Sequence, residues 1–387
     1  MSTDADARLV WSAIAEPADR EAGWLAARLG HAEALAWLRA AMRDPVGATV
    51  ALADEPARVD KVLASLGRWT PRLDAARPDD LRERAARVGA RIVVPGEAGW
   101  PLELDDLGEG APHALWVRGE ADLAAAWTRS VAVVGSRAST AYGEHVAAEV
   151  AAVAAERGIA VVSGGAYGID AAAHRGALAA GGTTVAVLAG GVDRLYPAGN
   201  AALLARVIAS GAVVSEQPPG FAPHRQRFLS RNRLIGAARV TVVVEAARRS
   251  GALSTAEHAI TLRRTLAAVP GPVTSAASAG CHWAVRDRGA TLLSAPADLL
   301  ELVLPLGDAL DEEPDGASGG GGPEFRTREE RQAYGAIPRR GAPADAIAIA
   351  AGLTAKEARE ALGGLARRGL ARLDAGRWTR TDDVRTP

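Results

Sequence analysis

Five arginines, Arg225, Arg227, Arg231, Arg233 and Arg239, fall within fifteen residues of a chain whose formal net charge is -1. The surrounding stretch, from Gln217 to Val244, holds no acidic residue, and Phe228 stands among the arginines in Phe228-Leu229-Ser230-Arg231-Asn232-Arg233. Guanidinium groups neutralise phosphates, and a ring beside them offers a face on which a base can stack. A cation cluster around an aromatic therefore points to nucleic acid. One alternative stays open: the arginines pair with carboxylates brought from elsewhere in the fold. The nearest acids in sequence, Glu216 and Glu245, lie just outside the run.

Further candidates are glycine-rich and short. Gly135-Ser136-Arg137, Ser163-Gly164-Gly165-Ala166-Tyr167-Gly168, Ala189-Gly190-Gly191 and Ser250-Gly251 each follow or lie near an apolar, β-branched run. Glycine lets backbone N–H groups approach an anion, and a following helix N-terminus favours negative charge. For any one loop the competing explanation is a tight strand-to-helix turn. Three of the four tyrosines, Tyr142, Tyr167 and Tyr196, fall in or just after these loops, and Phe221 and Phe228 lie in the arginine segment.

Catalytic patterns are missing. There is no G-x-x-x-x-G-K-[ST] phosphate loop and no G-x-G-x-x-G opening a helix with a later ribose-binding acid. Asp170 and His174 have i,i+4 spacing, open to an acid–base pair or to a helix N-terminal acid beside a packed histidine. Cys281 is the one cysteine, which excludes an internal disulfide and a multi-cysteine zinc site. No nucleotide cofactor or metal is expected.

The elements that must carry these residues follow from periodicity. Seven strands are expected, at Val131–Val134, Ile159–Val162, Thr184–Leu188, Ala212–Ser215, Val240–Val244, Leu266–Val269 and Ala290–Leu293. They alternate with amphipathic, alanine-rich helices, which predicts an α/β fold with a doubly wound parallel sheet. Ligands of such sheets bind beyond the carboxyl ends of the strands, where the glycine loops lie. Residues 1–80 predict short helices cut by Pro17, Pro45, Pro56 and Pro71. Seven of nine tryptophans precede residue 128 and are expected to pack between these helices and the sheet. The sheet domain is assigned to 81–305, and an acidic, glycine-rich linker to 306–324. Residues 325–387 predict helix–turn–helix then hairpin, a winged helix in outline, with 13 basic against 8 acidic residues. The acidic start, Met1-Ser2-Thr3-Asp4, predicts no signal peptide, and no apolar run reaches the ~18 residues that span a bilayer. A cytoplasmic protein is expected.

Taken together, the motifs resemble the DNA-processing protein A family (DprA, also called Smf). The resemblance rests on Gly135-Ser136-Arg137, Ser163-Gly164-Gly165-Ala166-Tyr167-Gly168-Ile169-Asp170, Gly191-Val192-Asp193, Tyr196-Pro197, and Phe228-Leu229-Ser230-Arg231-Asn232-Arg233-Leu234-Ile235. It continues through Val244-Glu245-Ala246, Ser250-Gly251-Ala252-Leu253 and Val269-Pro270-Gly271, and covers roughly residues 90–300. Leu229 stands where the family usually has proline. The resemblance implies an extended Rossmann-like domain between a SAM-like N-terminal helical domain and a C-terminal winged helix. It implies a non-enzymatic single-stranded DNA-binding recombination mediator that assists a RecA-type recombinase, as in natural transformation, and forms a homodimer through the Rossmann domain. By motif position, the DNA-binding set is Gly135, Ser136, Arg137, Ser163, Gly164, Gly165, Arg225, Phe228, Arg231, Asn232, Arg233, Ser250 and Gly251. In that set Phe228 sits beside a base, and Arg225, Arg231 and Arg233 line the phosphate path. Two other classes compete with this reading: a nucleotide phosphoribohydrolase, whose Pro-Gly-Gly-x-Gly-Thr segment is missing here, and a winged-helix transcriptional regulator.

Overall fold

The computed structural model describes residues 4–50, 52, 54–304, 325, 327–338, 341–374 and 376–381. The expected linker at 306–324 lies outside the described residues. The chain divides into two compact units, Met1–Ala309 and Leu310–Pro387.

The first unit begins with six helices: α1 (Asp4–Ile14), α2 (Arg20–Leu29), α3 (His31–Ala41), α4 (Pro45–Val50), α5 (Pro56–Leu73) and α6 (Pro78–Arg87). Proline opens α4, α5 and α6 at the position where a missing N–H costs nothing. Two strands follow, β1 (Arg91–Val93) and β2 (Leu115–Arg118), with a 3₁₀ segment between them at Leu102–Gly110. After α7 (Leu123–Thr128) comes the alternating region: β3 (Ser130–Val134), α8 (Ala141–Glu156), β4 (Ala160–Ser163), α9 (Ile169–Ala179), β5 (Thr184–Leu188), α10 (Ala201–Ser210) and β6 (Ala212–Ser215). It continues with α11 (Arg225–Gly236), β7 (Val240–Val243), α12 (Ala252–Thr261), β8 (Thr265–Ala268), α13 (Ala279–Arg288), β9 (Thr291–Leu292) and α14 (Asp298–Val303).

Among the described residues, nine strands form one sheet in the order β1-β2-β6-β5-β4-β3-β7-β8-β9. The seven expected strands are β3 to β9, and they pair in parallel. The lead-in to them adds β1 and β2, which pair antiparallel to each other and to β6, so the sheet is mixed at that edge. The chain builds β4, β5 and β6 on one side of β3, then returns to lay β7, β8 and β9 on the other. The strand order reverses between β3 and β7, which is where an open α/β sheet leaves a crevice for ligands.

Alternation along β3 shows how the sheet is covered. Val131 and Val133 face a core shared with α8, α9 and α14, while Ala132 and Val134 face one shared with α11, α12 and α13. The six N-terminal helices join the sheet through a third core, in which Trp11, Leu38 and Trp69 connect to Ala186, Leu188 and Val213. All seven tryptophans before residue 128 are buried, and Trp11 meets Trp69 edge to face at 5.3 Å.

The second unit contains α15 (Arg328–Ala336), α16 (Ala344–Ala351), α17 (Ala355–Arg367) and a hairpin of β10 (Ala371–Asp374) and β11 (Arg377–Arg380). Thr354 and Glu357 form the expected capping box at the start of α17. Gly352 ends α16 in the left-handed region at φ 66°. Ile347, Leu362 and Leu365 fill its small core. Among the described residues no helix of the chain is long and apolar enough to cross a membrane.

Candidate nucleic-acid interface

A cleft of about 820 Å³ opens at the carboxyl ends of β3 and β7. Its first wall is Gly135-Ser136-Arg137. A Cβ on Gly135 would lie 2.6 Å from Ile169 and 2.8 Å from the Glu245 carbonyl, so only glycine fits this turn. The Ser136 N–H donates to that same carbonyl at 2.7 Å. The Glu245 carboxylate accepts from the Thr140 N–H at 2.9 Å and from its hydroxyl at 2.6 Å. Thr140 in turn caps α8 by accepting from the Gly143 N–H. The turn after β3 is thereby fastened to the end of β7, and Arg137 projects from it, exposed.

The second wall is α11. Arg225, Phe228, Leu229, Arg231 and Asn232 line the cleft from this helix. The Arg137 guanidinium lies 5.1 Å from the Phe228 ring centroid, and the Tyr196 ring lies 5.8 Å from it at 52°. Phe228 is half-buried and belongs to none of the hydrophobic cores of the described residues. The third wall is the loop after β7, with Arg249, Ser250 and Gly251. Asn232 holds that loop to α11, donating to the Gly251 carbonyl at 3.2 Å and to the Ser254 hydroxyl at 2.7 Å.

The arginine cluster divides in a way its spacing did not reveal. Arg233 is not on the surface. It is 3% exposed and donates to both oxygens of Glu216, at 2.7 and 2.6 Å, as well as to the Gly110 and Ser230 carbonyls. Arg227 is likewise buried and grips Glu16 with two bonds of 2.8 Å. Arg231 is buried at the floor of the cleft, where it donates to the Gly164 carbonyl at 2.9 Å and to the Val187 carbonyl. Burial lowers the Arg231 pKa to about 10, against the pull of Asp170. Burial also raises the Asp170 carboxyl, against Arg231 and the Ala166 N–H. These three arginines thus hold the fold together. Of the arginines expected along a phosphate path, Arg231 lines the cleft with its guanidinium bonded to backbone carbonyls, and Arg233 lies outside the lining, paired with Glu216.

Ser163, Gly164 and Gly165 are also buried, and they do not line the cleft. The Ser163 hydroxyl donates to the Val133 carbonyl at 2.7 Å. A Cβ on Gly164 would lie 2.6 Å from the Arg231 guanidinium and from Asp170, so this glycine makes room for the floor. Gly191 packs on the 218–223 segment, where its N–H meets the Phe221 carbonyl at 2.8 Å. Of the four glycine loops, two shape the cleft wall, the 163–168 loop reaches the lining only through Ala166, and the Gly190-Gly191 loop supports it from behind. Tyr142 and Tyr167 are exposed outside the cleft, and their hydroxyls bond the Pro270 carbonyl and the Gly199 N–H.

The cations that remain available are Arg137, Arg225 and Arg249. All three are exposed, and none has a carboxylate within 4 Å among the described residues. Arg249 was missed by the sequence reasoning; its signal was the Arg248-Arg249 pair directly before Ser250-Gly251. The cleft thus offers three guanidiniums around two partly exposed rings, which can neutralise phosphates and stack bases.

Other titratable groups are spoken for. His174 is fully buried, bonds Thr184 at 2.7 Å, and is held near a pKa of about 3 by burial. It does not pair with Asp170. Burial pushes the Cys281 thiol up to about 11. Among the described residues no group of three His, Cys, Asp or Glu side chains is placed to hold a metal ion.

The model of the DNA recombination-mediator protein A family matches residues 91–304. A Mycobacterium tuberculosis protein named as a DNA processing protein DprA is 49% identical over 312 residues, covering 78% of this chain and 79% of that protein. The DNA processing protein DprA of Streptococcus pneumoniae is 39% identical over 202 residues, 52% of this chain and 70% of that one. Its X-ray structure superposes with a TM-score of 0.56 at 32% identity, over 62% of this chain and 83% of the other. The structure of DNA processing protein A from Helicobacter pylori, described for its single-stranded DNA binding mode, superposes with a TM-score of 0.50 at 26% identity, over 55% and 94%.

Proposed function

The chain belongs to the DNA recombination-mediator protein A family, and from that premise we propose that it binds single-stranded DNA in the cleft between β3, β7 and α11. One observation carries the proposal: Arg137, Arg225 and Arg249, with no carboxylate within 4 Å among the described residues, stand around the rings of Phe228 and Tyr196 at the reversal point of the sheet. Phosphates meet the guanidiniums, and unstacked bases meet Phe228 and Tyr196. A ring has a face for every base, so binding tolerates any sequence. Duplex bases are already stacked on each other, which favours single strands.

No step of catalysis is assigned. The protein holds the strand and presents it, in the cytoplasm, to a RecA-type recombinase, as in the processing of DNA during natural transformation. It works as a homodimer through its Rossmann-like domain. The family's role as a recombination mediator supports these assignments.

The test is a titration of the full chain with single-stranded and duplex DNA of equal length at moderate salt. The wild type is expected to prefer the single strand. The variant Arg137→Ala, Arg225→Ala, Arg249→Ala should bind the single strand more weakly while melting at the wild-type temperature. Equal single-strand affinity of the two proteins would sink the proposal.

A further inference from the structure

We propose a second phosphate-binding groove on the N-terminal helices, which takes the backbone of the same single strand where it leaves the main cleft. It rests on the assignment of that cleft to single-stranded DNA.

The groove, of about 440 Å³, lies where the end of α3, the end of α5 and the start of α6 meet. Arg39, Arg43 and Arg77 line it with Met42 and Leu73, and Asp74 is its one acid. The three arginines are exposed. Their lack of partners is unusual for this part of the chain. Twelve arginines precede residue 90. Eight of them, at 8, 20, 28, 58, 68, 72, 82 and 87, lie within 4 Å of a carboxylate. Of the four without such a partner among the described residues, three line this one groove. Most other arginines of the N-terminal helices sit against a carboxylate, whereas these three gather in one groove with none within 4 Å among the described residues.

The helix dipole explains part of this but not all. Arg39 and Arg43 stand at the C-terminal end of α3, where a cation is favoured. Arg77 is the N-cap residue of α6, where a cation is disfavoured. Asp79 and Asp80 in the first turn of α6 offset part of that field, and an anion between the three guanidiniums would offset the rest.

The groove also connects to the cleft. Leu73 in the groove follows Arg72, whose guanidinium bonds Glu16 at 2.7 Å. Glu16 bonds Arg227 of α11 at 2.8 Å, and His224 of the cleft wall lies 3.7 Å from Glu16. Glu16 holds both Arg72 and Arg227 on this bridge, so a strand leaving Arg225 across it would meet its next unpaired guanidiniums in the groove. Phosphates spaced along it would meet the three groove arginines without any base contact, so the groove adds affinity and not specificity.

The test uses the full chain and two thymidine oligomers, one of about 6 nucleotides, enough for the cleft, and one of about 30. The variant Arg39→Gln, Arg43→Gln, Arg77→Gln should bind the short oligomer as the wild type does. On the long one it should bind more weakly, and the slope of log affinity against log salt should flatten by about 2, the three contacts at ~0.7 each. The variant with lysine at all three positions should keep the wild-type slope. An unchanged slope on the long oligomer overturns the groove, and so does an equal loss on both lengths. Arg137→Ala separates the two assignments: if it leaves the short oligomer's affinity unchanged, the cleft assignment fails and takes the groove with it.

Discussion

Arg137 and Phe228 come from opposite walls of the cleft, and the guanidinium of the first lies 5.1 Å from the ring centroid of the second. The contact is a cation–π pair left partly open to solvent. It keeps the arginine's flat group and the ring together at the mouth of the cleft. The Tyr196 ring lies beside the same phenylalanine, tilted at 52°.

Phe228→Ala should weaken single-strand binding by about 1–3 kcal/mol, the usual cost of losing a stacked ring, and leave the salt slope unchanged. A fully buried phenylalanine would cost about 3–5 kcal/mol of stability on truncation. Phe228 lies outside the cores, so the variant should melt close to the wild type. A melt without DNA, beside a titration, checks both halves.

Arg225→Ala and Arg249→Ala should each flatten the salt slope by ~0.7 without changing the melting temperature. Arg233→Ala should do the reverse of this. It strands the buried Glu216 carboxylate and should destabilise the domain by about 3–5 kcal/mol. Parallel melts and salt titrations of the three variants decide it. A stable Arg233→Ala with a flattened slope would return Arg233 to the phosphate path.

Glu16 carries a pH signature. Burial pushes its carboxyl up, but the bonds and charges of Arg227 and Arg72 outweigh that and hold it at about 2, below its ordinary 4.5. An acid whose folded pKa is depressed contributes stability that is present above the unfolded value and is lost as pH falls through the folded one. Glu16→Gln should therefore cost about 1 kcal/mol at neutral pH, a modest figure because the group is partly exposed. The gap between variant and wild type should close as pH falls from 4.5 towards 2. Stability curves at pH 7 and pH 3 check the sign.

Gly143→Ala tests the fastening of the Arg137 turn. Its new methyl group would lie 2.4 Å from a Glu245 carboxylate oxygen. The carboxylate must then leave Thr140, and the turn is left with only its backbone bond from Ser136 to the Glu245 carbonyl. We expect a loss of about 1–3 kcal/mol of stability, as for an overpacked site, together with weaker single-strand binding. A wild-type melt would show that Glu245 moves freely.

The chain's sequence by itself determined the elements and most of their ends. Periodicity of apolar residues is local, so the parallel strands, the helices between them and the capping box at Thr354 were legible within windows of ten to fifteen residues. It also determined that cations and a ring gather at one place. Which of those cations face a ligand was decided by tertiary structure alone. Arg225 and Arg227 are two positions apart on α11 and so point in nearly opposite directions, one into the cleft and one to Glu16. The partners that occupy Arg227 and Arg231 lie at residues 16, 164 and 187, far outside any local window. The order of the strands is likewise a property of the folded sheet, and it sets β3 beside β7 and opens the crevice there. Charge composition is written along the chain, but neutralisation is a relation between distant segments, and only the packed fold states it.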